Sequence, residues 1–99
     1  MVSSGNLLAP VAVLANVTAP GTITLNWSAS SSAFATGYNI YRLTDAEPSY
    51  TLIATRSGIG TTSLIDAGLP PLTVHTYYVE AICEDWTSAP SPTSTAVMP

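Results

Sequence analysis

His75-Thr76-Tyr77-Tyr78-Val79-Glu80-Ala81-Ile82-Cys83 places His75, Tyr77, Val79, Ala81 and Cys83 on one side of an extended chain and Thr76, Tyr78, Glu80 and Ile82 on the other. A period of two is the signature of a β-strand with one buried face. Two segments upstream repeat it. Thr22-Ile23-Thr24-Leu25-Asn26-Trp27 turns Ile23, Leu25 and Trp27 to one side, and Gly37-Tyr38-Asn39-Ile40-Tyr41-Arg42 turns Tyr38 and Ile40 inward. Weaker strands are expected over residues 11–16, 50–55 and 62–66, and a last edge strand over 94–98. Turn signals separate them at Ala19-Pro20-Gly21, Glu47-Pro48, Ser57-Gly58 and Gly68-Leu69-Pro70-Pro71. No segment carries a helical period. Seven short strands bounded by turns predict an all-β, seven-stranded antiparallel sandwich.

The chain of 99 residues is one domain, long enough for a core without a disulfide or metal scaffold. Hydrophobic residues make up 46% of it, so disorder is excluded. Charged residues are only 8%; there is no lysine, Arg42 and Arg56 are the only cations, and the net charge is −4. That balance excludes nucleic acid, whose phosphates need several cations, and an anionic membrane surface. The apolar run at residues 7–15 is too short to span a bilayer, and Pro10 together with the lack of a basic start argues against a signal peptide. Residues 1–8 read as a boundary segment and residues 9–98 as the domain, a module of a longer chain. The serine-rich stretch 28–36 lies between two strands and reads as an internal loop.

In order, several elements resemble a fibronectin type III domain of the kind common in bacterial extracellular proteins. Pro10 with Leu14 resembles the family's first strand, Gly21-x-Ile23-x-Leu25-x-Trp27 the second with its core Trp, and Gly37-Tyr38-x-Ile40-Tyr41-Arg42 the third. Residues 62–66 followed by Gly68-Leu69-x-Pro71 resemble the fifth strand and its turn, Tyr77-x-Val79-x-Ala81 the sixth, and Ser88-Ala89-Pro90-Ser91 the entry to the seventh. The resemblance implies an immunoglobulin-like sandwich. Two positions depart from the pattern. His75 stands where the family carries a Tyr that ties the turn to backbone; an imidazole N–H is expected to make a shorter tie. Leu72 stands where Gly usually follows the turn Pro, so another turn geometry is expected there.

No residue set points to catalysis or a cofactor. His75, the only histidine, has no nucleophile or carboxylate placed beside it by a motif, and reads as a structural residue of the turn. Cys83 has no cysteine partner and is followed by Glu84 and Asp85, which disfavour a thiolate, so it is expected to be inert. Asp66 is expected to accept backbone N–H bonds in its turn. Asp45 and Glu47 share a loop, weak grounds for calcium; no metal site is expected. Asn16-Val17-Thr18 and Asn26-Trp27-Ser28 match the N-glycosylation triplet, which arises often by chance in such a Ser/Thr-rich chain.

The outward aromatics are the candidate binding surface. Tyr41 and Tyr78 face away from Tyr38/Ile40 and Tyr77/Val79 on strands that are neighbours in the family, with Asn39 and Glu80 nearby. Such a pair either stabilises the sheet or meets a ligand. Trp86, after the sixth strand, joins this surface or packs over the end of the sandwich; packing is favoured. The expected function is that of a noncatalytic module of a secreted or surface protein, acting as a spacer, positioning unit or adhesion domain, extracellular and monomeric when isolated. Its partners are neighbouring domains of the parent chain. The alternatives are a module binding a polysaccharide or a surface protein through Tyr41, Tyr78 and Trp86, and a phage structural module.

Overall fold

Ile23 and Leu25 are fully buried and Trp27 nearly so, while Asn26 between them is exposed. The alternation read from the sequence is therefore the alternation of the fold. A computed structural model describes residues 7–45 and 47–99. Its strands are β1 (Val13–Ala19), β2 (Thr22–Trp27), β3 (Gly37–Thr44), β4 (Thr51–Ser57), β5 (Ser63–Asp66), β6 (Val74–Cys83), β7 (Trp86–Thr87) and β8 (Ser94–Val97), and no helix occurs among the described residues. All pairings are antiparallel. One sheet runs β1-β2-β5; the other runs β4-β3-β6, with both β7 and β8 paired to β6. The two inner faces meet in one core that contains Trp27, Tyr38, Ile40, Tyr77 and Val79. Trp27 meets Tyr38 edge-on, with ring centroids 5.6 Å apart.

Seven strands were expected and eight segments are found. The last strand is split because Pro90 and Pro92 cannot donate to a ladder. Ser88 and Ser91 repair the gap. Their backbone N–H groups bond to the carbonyls of Ala81 and Val79. Their hydroxyls accept the N–H groups of Ala81 and Val79, each at 2.9 Å. Side-chain oxygens thus replace the carbonyls that an unbroken strand would offer.

The first strand lies two residues later than expected. The N–H groups of Val11 and Ala12 are taken by the Ser28 hydroxyl and so do not join the ladder. The pairing with β2 instead continues to Ala19, past an irregularity between Val17 and Ala19. The loop at 28–36 is an internal loop as expected, but Ser30 and Ser32 in it are buried. Ser30 donates to the Leu8 carbonyl, and Ser32 Oγ accepts the Leu8 N–H. Leu7 is 3% exposed, so the boundary drawn between residues 8 and 9 falls inside a packed segment; residues 1–6 lie outside the described ones.

Leu72 corrects an expectation. It keeps a left-handed backbone, φ 61°, where glycine would be unstrained. The turn geometry is retained and the leucine adopts it.

Candidate functional site

Tyr38 and Ile40 point into the core, so Tyr41 points out from β3; Tyr77 and Val79 point in, so Tyr78 points out from β6. Tyr41 lies directly opposite Tyr78 in the ladder. Their rings stack, with centroids 4.7 Å apart and planes 17° from parallel. Tyr50, just before β4, sets its edge against Tyr78, again at 4.7 Å. The next outward row is Thr55, Asn39 and Glu80, in which Thr55 Oγ1 donates to Asn39 Oδ1 at 2.7 Å. The Tyr41 hydroxyl is held above the usual tyrosine pKa first by burial and then by hydrogen bonding to Glu80, and Tyr78 is raised by burial and by the Glu80 charge. Both therefore stay protonated at neutral pH. The stacked pair presents hydroxyls, ring edges and one carboxylate.

Of the three candidate residues, the structure brings Tyr41 and Tyr78 together and places Trp86 elsewhere. Trp86 pairs with Cys83, whose neighbours Tyr77, Val79 and Ala81 are buried at the alternating positions, and it packs against the core. It lies on the inner face of the sheet whose outer face carries the tyrosines. The expected packing is what is found. Tyr50 was missed by the sequence reading. Its signal is the period of two: it stands two residues before Leu52, the cross-strand partner of Tyr41.

The remaining chemistry-bearing groups are occupied by the fold. His75 is buried, with Nδ1 2.9 Å from Thr44 Oγ1 and Nε2 2.7 Å from Thr73 Oγ1. Thr73 gives its single hydroxyl proton to the Pro70 carbonyl, so it accepts Nε2–H and leaves Nδ1 to accept from Thr44. The tie from this position to the turn is present, but it runs through Thr73 rather than directly. Burial, followed by the Arg42 charge, lowers the His75 pKa against the opposing pull of Asp66, Asp45 and Glu47.

Asp66 was expected to accept backbone N–H bonds in its turn; among the described residues its partners are side chains instead. Its carboxylate accepts both oxygens' worth of bonds from Arg42 Nη1, at 3.0 and 2.9 Å, and one oxygen also accepts the Tyr77 hydroxyl at 2.7 Å. Burial and this bond push Tyr77 well above the usual tyrosine range. Asp45 and Glu47 brace their loop: Asp45 Oδ1 accepts the Val74 N–H and Glu47 Oε1 the Thr44 N–H. Among the described residues no group of three or more His, Cys, Asp or Glu converges as metal ligands would. Cys83 is half-buried against the core. Asn16 and Asn26 are both exposed, on the outer face of the three-stranded sheet.

One cleft of about 490 Å³ lies between the β1–β2 turn, the turn at Leu69 and Pro71, and the end of the chain at Met98 and Pro99. Its walls are mostly apolar and carry no titratable side chain.

Neither a family model nor a curated protein matches the sequence. Solved structures do match its fold. A fibronectin type III-like protein from Clostridium thermocellum is 25% identical, with a TM-score of 0.72 over 98% of this chain and 96% of that one. The FN1–FN3 domains of chicken CNTN1 are 22% identical, with a TM-score of 0.78 over 90% of this chain. The twitchin kinase region of C. elegans is 15% identical, with a TM-score of 0.80 over 94% of this chain. This chain spans 30% of the chicken chain and 17% of the nematode one.

Proposed function

From the fibronectin type III fold that the chain carries, we propose that it is a noncatalytic module of a larger secreted or surface protein, holding its neighbours apart and in register. The observation that carries this reading is the placement of the two ends. Leu8 is tied to Ser30 and Ser32, and the Ser30 N–H bonds to the hydroxyl of Tyr38, at the Gly37 end of β3. Met98 bonds to Leu72 and Thr73, beside Val74, whose carbonyl accepts from Asp45 just past the Thr44 end of β3. Chain entry and exit thus sit at opposite ends of a body 47 × 26 × 18 Å in extent. A rigid sandwich with this geometry sets a fixed spacing between whatever flanks it. The engagement of His75, Asp66, Asp45 and Glu47 in structural bonds supports a noncatalytic role.

A second reading is a polysaccharide- or protein-binding module using Tyr41 and Tyr78. The outward position of the two rings beside Glu80 and Asn39 favours it. Trp86 has no part in it, since it packs inward. The stacking of the rings on one another favours the spacer, because each spends one face on its neighbour. Titration with insoluble polysaccharides separates the two, using wild type and the Tyr41→Ala/Tyr78→Ala double variant. The spacer reading expects no binding, or weak binding that the double variant does not change. A clear wild-type signal lost in the double variant overturns it in favour of the binding module.

A further inference from the structure

His75, 1% exposed, is the second residue of β6. Its two ring nitrogens hold two different segments. Nδ1 accepts from Thr44, the last residue of β3, and Nε2–H reaches Thr73, the residue before β6. Each threonine adjoins a residue in the left-handed region: Asp45 (φ 34°) follows Thr44, and Leu72 (φ 61°) precedes Thr73. Such a backbone costs an L-residue free energy, more for leucine than for aspartate. With 84% of Leu72 in water, its side chain returns little of that cost. One buried imidazole thus clamps two turns, each holding a left-handed residue that is not glycine.

The chain exit hangs on the same clamp. The Thr73 carbonyl accepts the Met98 N–H, and the Met98 carbonyl accepts the Leu72 N–H. Ala96 of β8 is the cross-strand partner of His75. β8 is only four residues long and pairs with β6, and Pro90 and Pro92 separate it from β7. A short edge segment of this kind opens at lower free energy than the core strands. The groups facing His75 make a charge on it costly. Burial disfavours the charge first and Arg42 on β3 second, so the ring binds a proton less readily than at its usual pKa of 6.5. The carboxylates that pull the other way are already engaged: Asp66 with Arg42 and Tyr77, Asp45 with the Val74 N–H, and Glu47 with the Thr44 N–H. The 70–73 turn and β8 carry no titratable side chain. A proton on Nδ1 also meets the hydroxyl proton of Thr44, which must then give up its donation to the ring.

We propose that His75 is an acid-sensitive clamp: a proton on its ring releases the 70–73 turn together with β8 and the Met98 end of the chain, while the rest of the sandwich stays folded. In the open form the ring meets water and has its ordinary affinity for a proton. The open population therefore rises as the pH falls below 6.5, by up to about tenfold for each pH unit. The clamp belongs to this chain whether or not it acts as a spacer. For a spacer, it means that the connection at the Met98 end slackens in acid.

Amide exchange on the wild-type chain tests this, read by NMR between about pH 7.5 and about pH 5 and corrected for the intrinsic pH dependence of exchange. Protection of the Leu72 and Met98 amides is expected to be level above about pH 6.5 and to fall below it. At every pH it should be lower than that of Val79 in the middle of β6, because the exit opens without the core. His75→Gln keeps a donor for Thr73 and an acceptor for Thr44 but takes up no proton, so its Leu72 and Met98 protection should stay level. The carboxylates are the same in both chains, so a fall confined to the wild type belongs to His75. The His75 ring resonances of the wild type give a second readout that needs no variant, and they should titrate below the usual 6.5. Level protection in the wild type, an equal fall in His75→Gln, Leu72 and Met98 amides as protected as Val79, or a ring that titrates at or above the usual value overturns the proposal.

Discussion

Trp27 shows what one side chain contributes here. It is 5% exposed, its ring meets Tyr38 edge-on, and its indole N–H has no hydrogen-bond partner among the described residues. Its role is apolar packing. Trp27→Ala should cost about 3–5 kcal/mol, a large share of what a domain this size possesses. Urea unfolding followed by circular dichroism reads this; a midpoint close to wild type would place Trp27 outside the core. His75 is the residue through which pH acts. Burial lowers its pKa in the folded chain from the usual 6.5, so below that pH the unfolded chain binds the extra proton and the folded chain does not. Stability is therefore full above about pH 6.5 and falls as the pH drops toward the folded-state value. Denaturation midpoints between about pH 7.5 and pH 5 should decline for wild type and stay level for His75→Phe, which is less stable throughout because Thr44 and Thr73 lose a partner. Cys83 packs half-buried against the core with no cation adjacent in sequence. A thiol reagent should label it slowly in buffer and fully in denaturant. Fast native labelling would refute that reading.

At the scale of the element, β6 is the strand on which the sandwich depends. It pairs with β3 along one edge and with β7 and β8 along the other. Between β7 and β8 the hydroxyls of Ser88 and Ser91 are the acceptors for two buried N–H groups. Ser91→Ala leaves the Val79 N–H buried without its acceptor, at a cost of about 1–3 kcal/mol. Amide hydrogen exchange should quicken at Val79 more than at the flanking residues of β6. Equal protection in the variant would mean that another acceptor serves Val79. The displacement of β1 follows the same rule. Residues 11–16 have the composition of a strand, yet Val11 and Ala12 give their N–H groups to Ser28. Where a backbone donor goes decides which residues enter the ladder.

For the whole molecule, the ion pair that joins the two sheets is Arg42–Asp66, from β3 to the end of β5, with Tyr77 of β6 as a third member; the Ala15 N–H to Ser94 Oγ bond, 3.0 Å, links β1 to β8 as well. The Arg42 and Asp66 side chains are 25% and 11% exposed, so the pair is only partly screened. Asp66→Asn removes its charge but keeps its shape, and leaves Arg42 uncompensated. A loss of about 1–3 kcal/mol is expected, between the values for surface and buried pairs. An Arg42→Met/Asp66→Leu double variant should recover most of it, since apolar groups of similar size often replace such pairs without loss. Thermal unfolding of the three chains reads both effects, and failure of the double variant to recover would make the pair essential in itself.

Alternation at 22–27, 37–42 and 75–83, with turn residues between, determined the strands, the inward faces and the class of fold, because the period of two is a local property of the chain. The resemblance at Leu69, Pro71 and His75 pointed to the tie at the turn. What the tertiary structure alone decided are the meetings between distant residues. Tyr50 reaches Tyr78 across β3, Asp66 crosses to the other sheet, Ser28 withdraws Val11 and Ala12 from a ladder, and the same pairing that unites Tyr41 with Tyr78 turns Trp86 inward. Each depends on which strands become neighbours and in what register, and a shift of one residue would exchange the faces. A side chain's face is written in its immediate neighbours, whereas its partner is set by the closure of the two sheets around their common core.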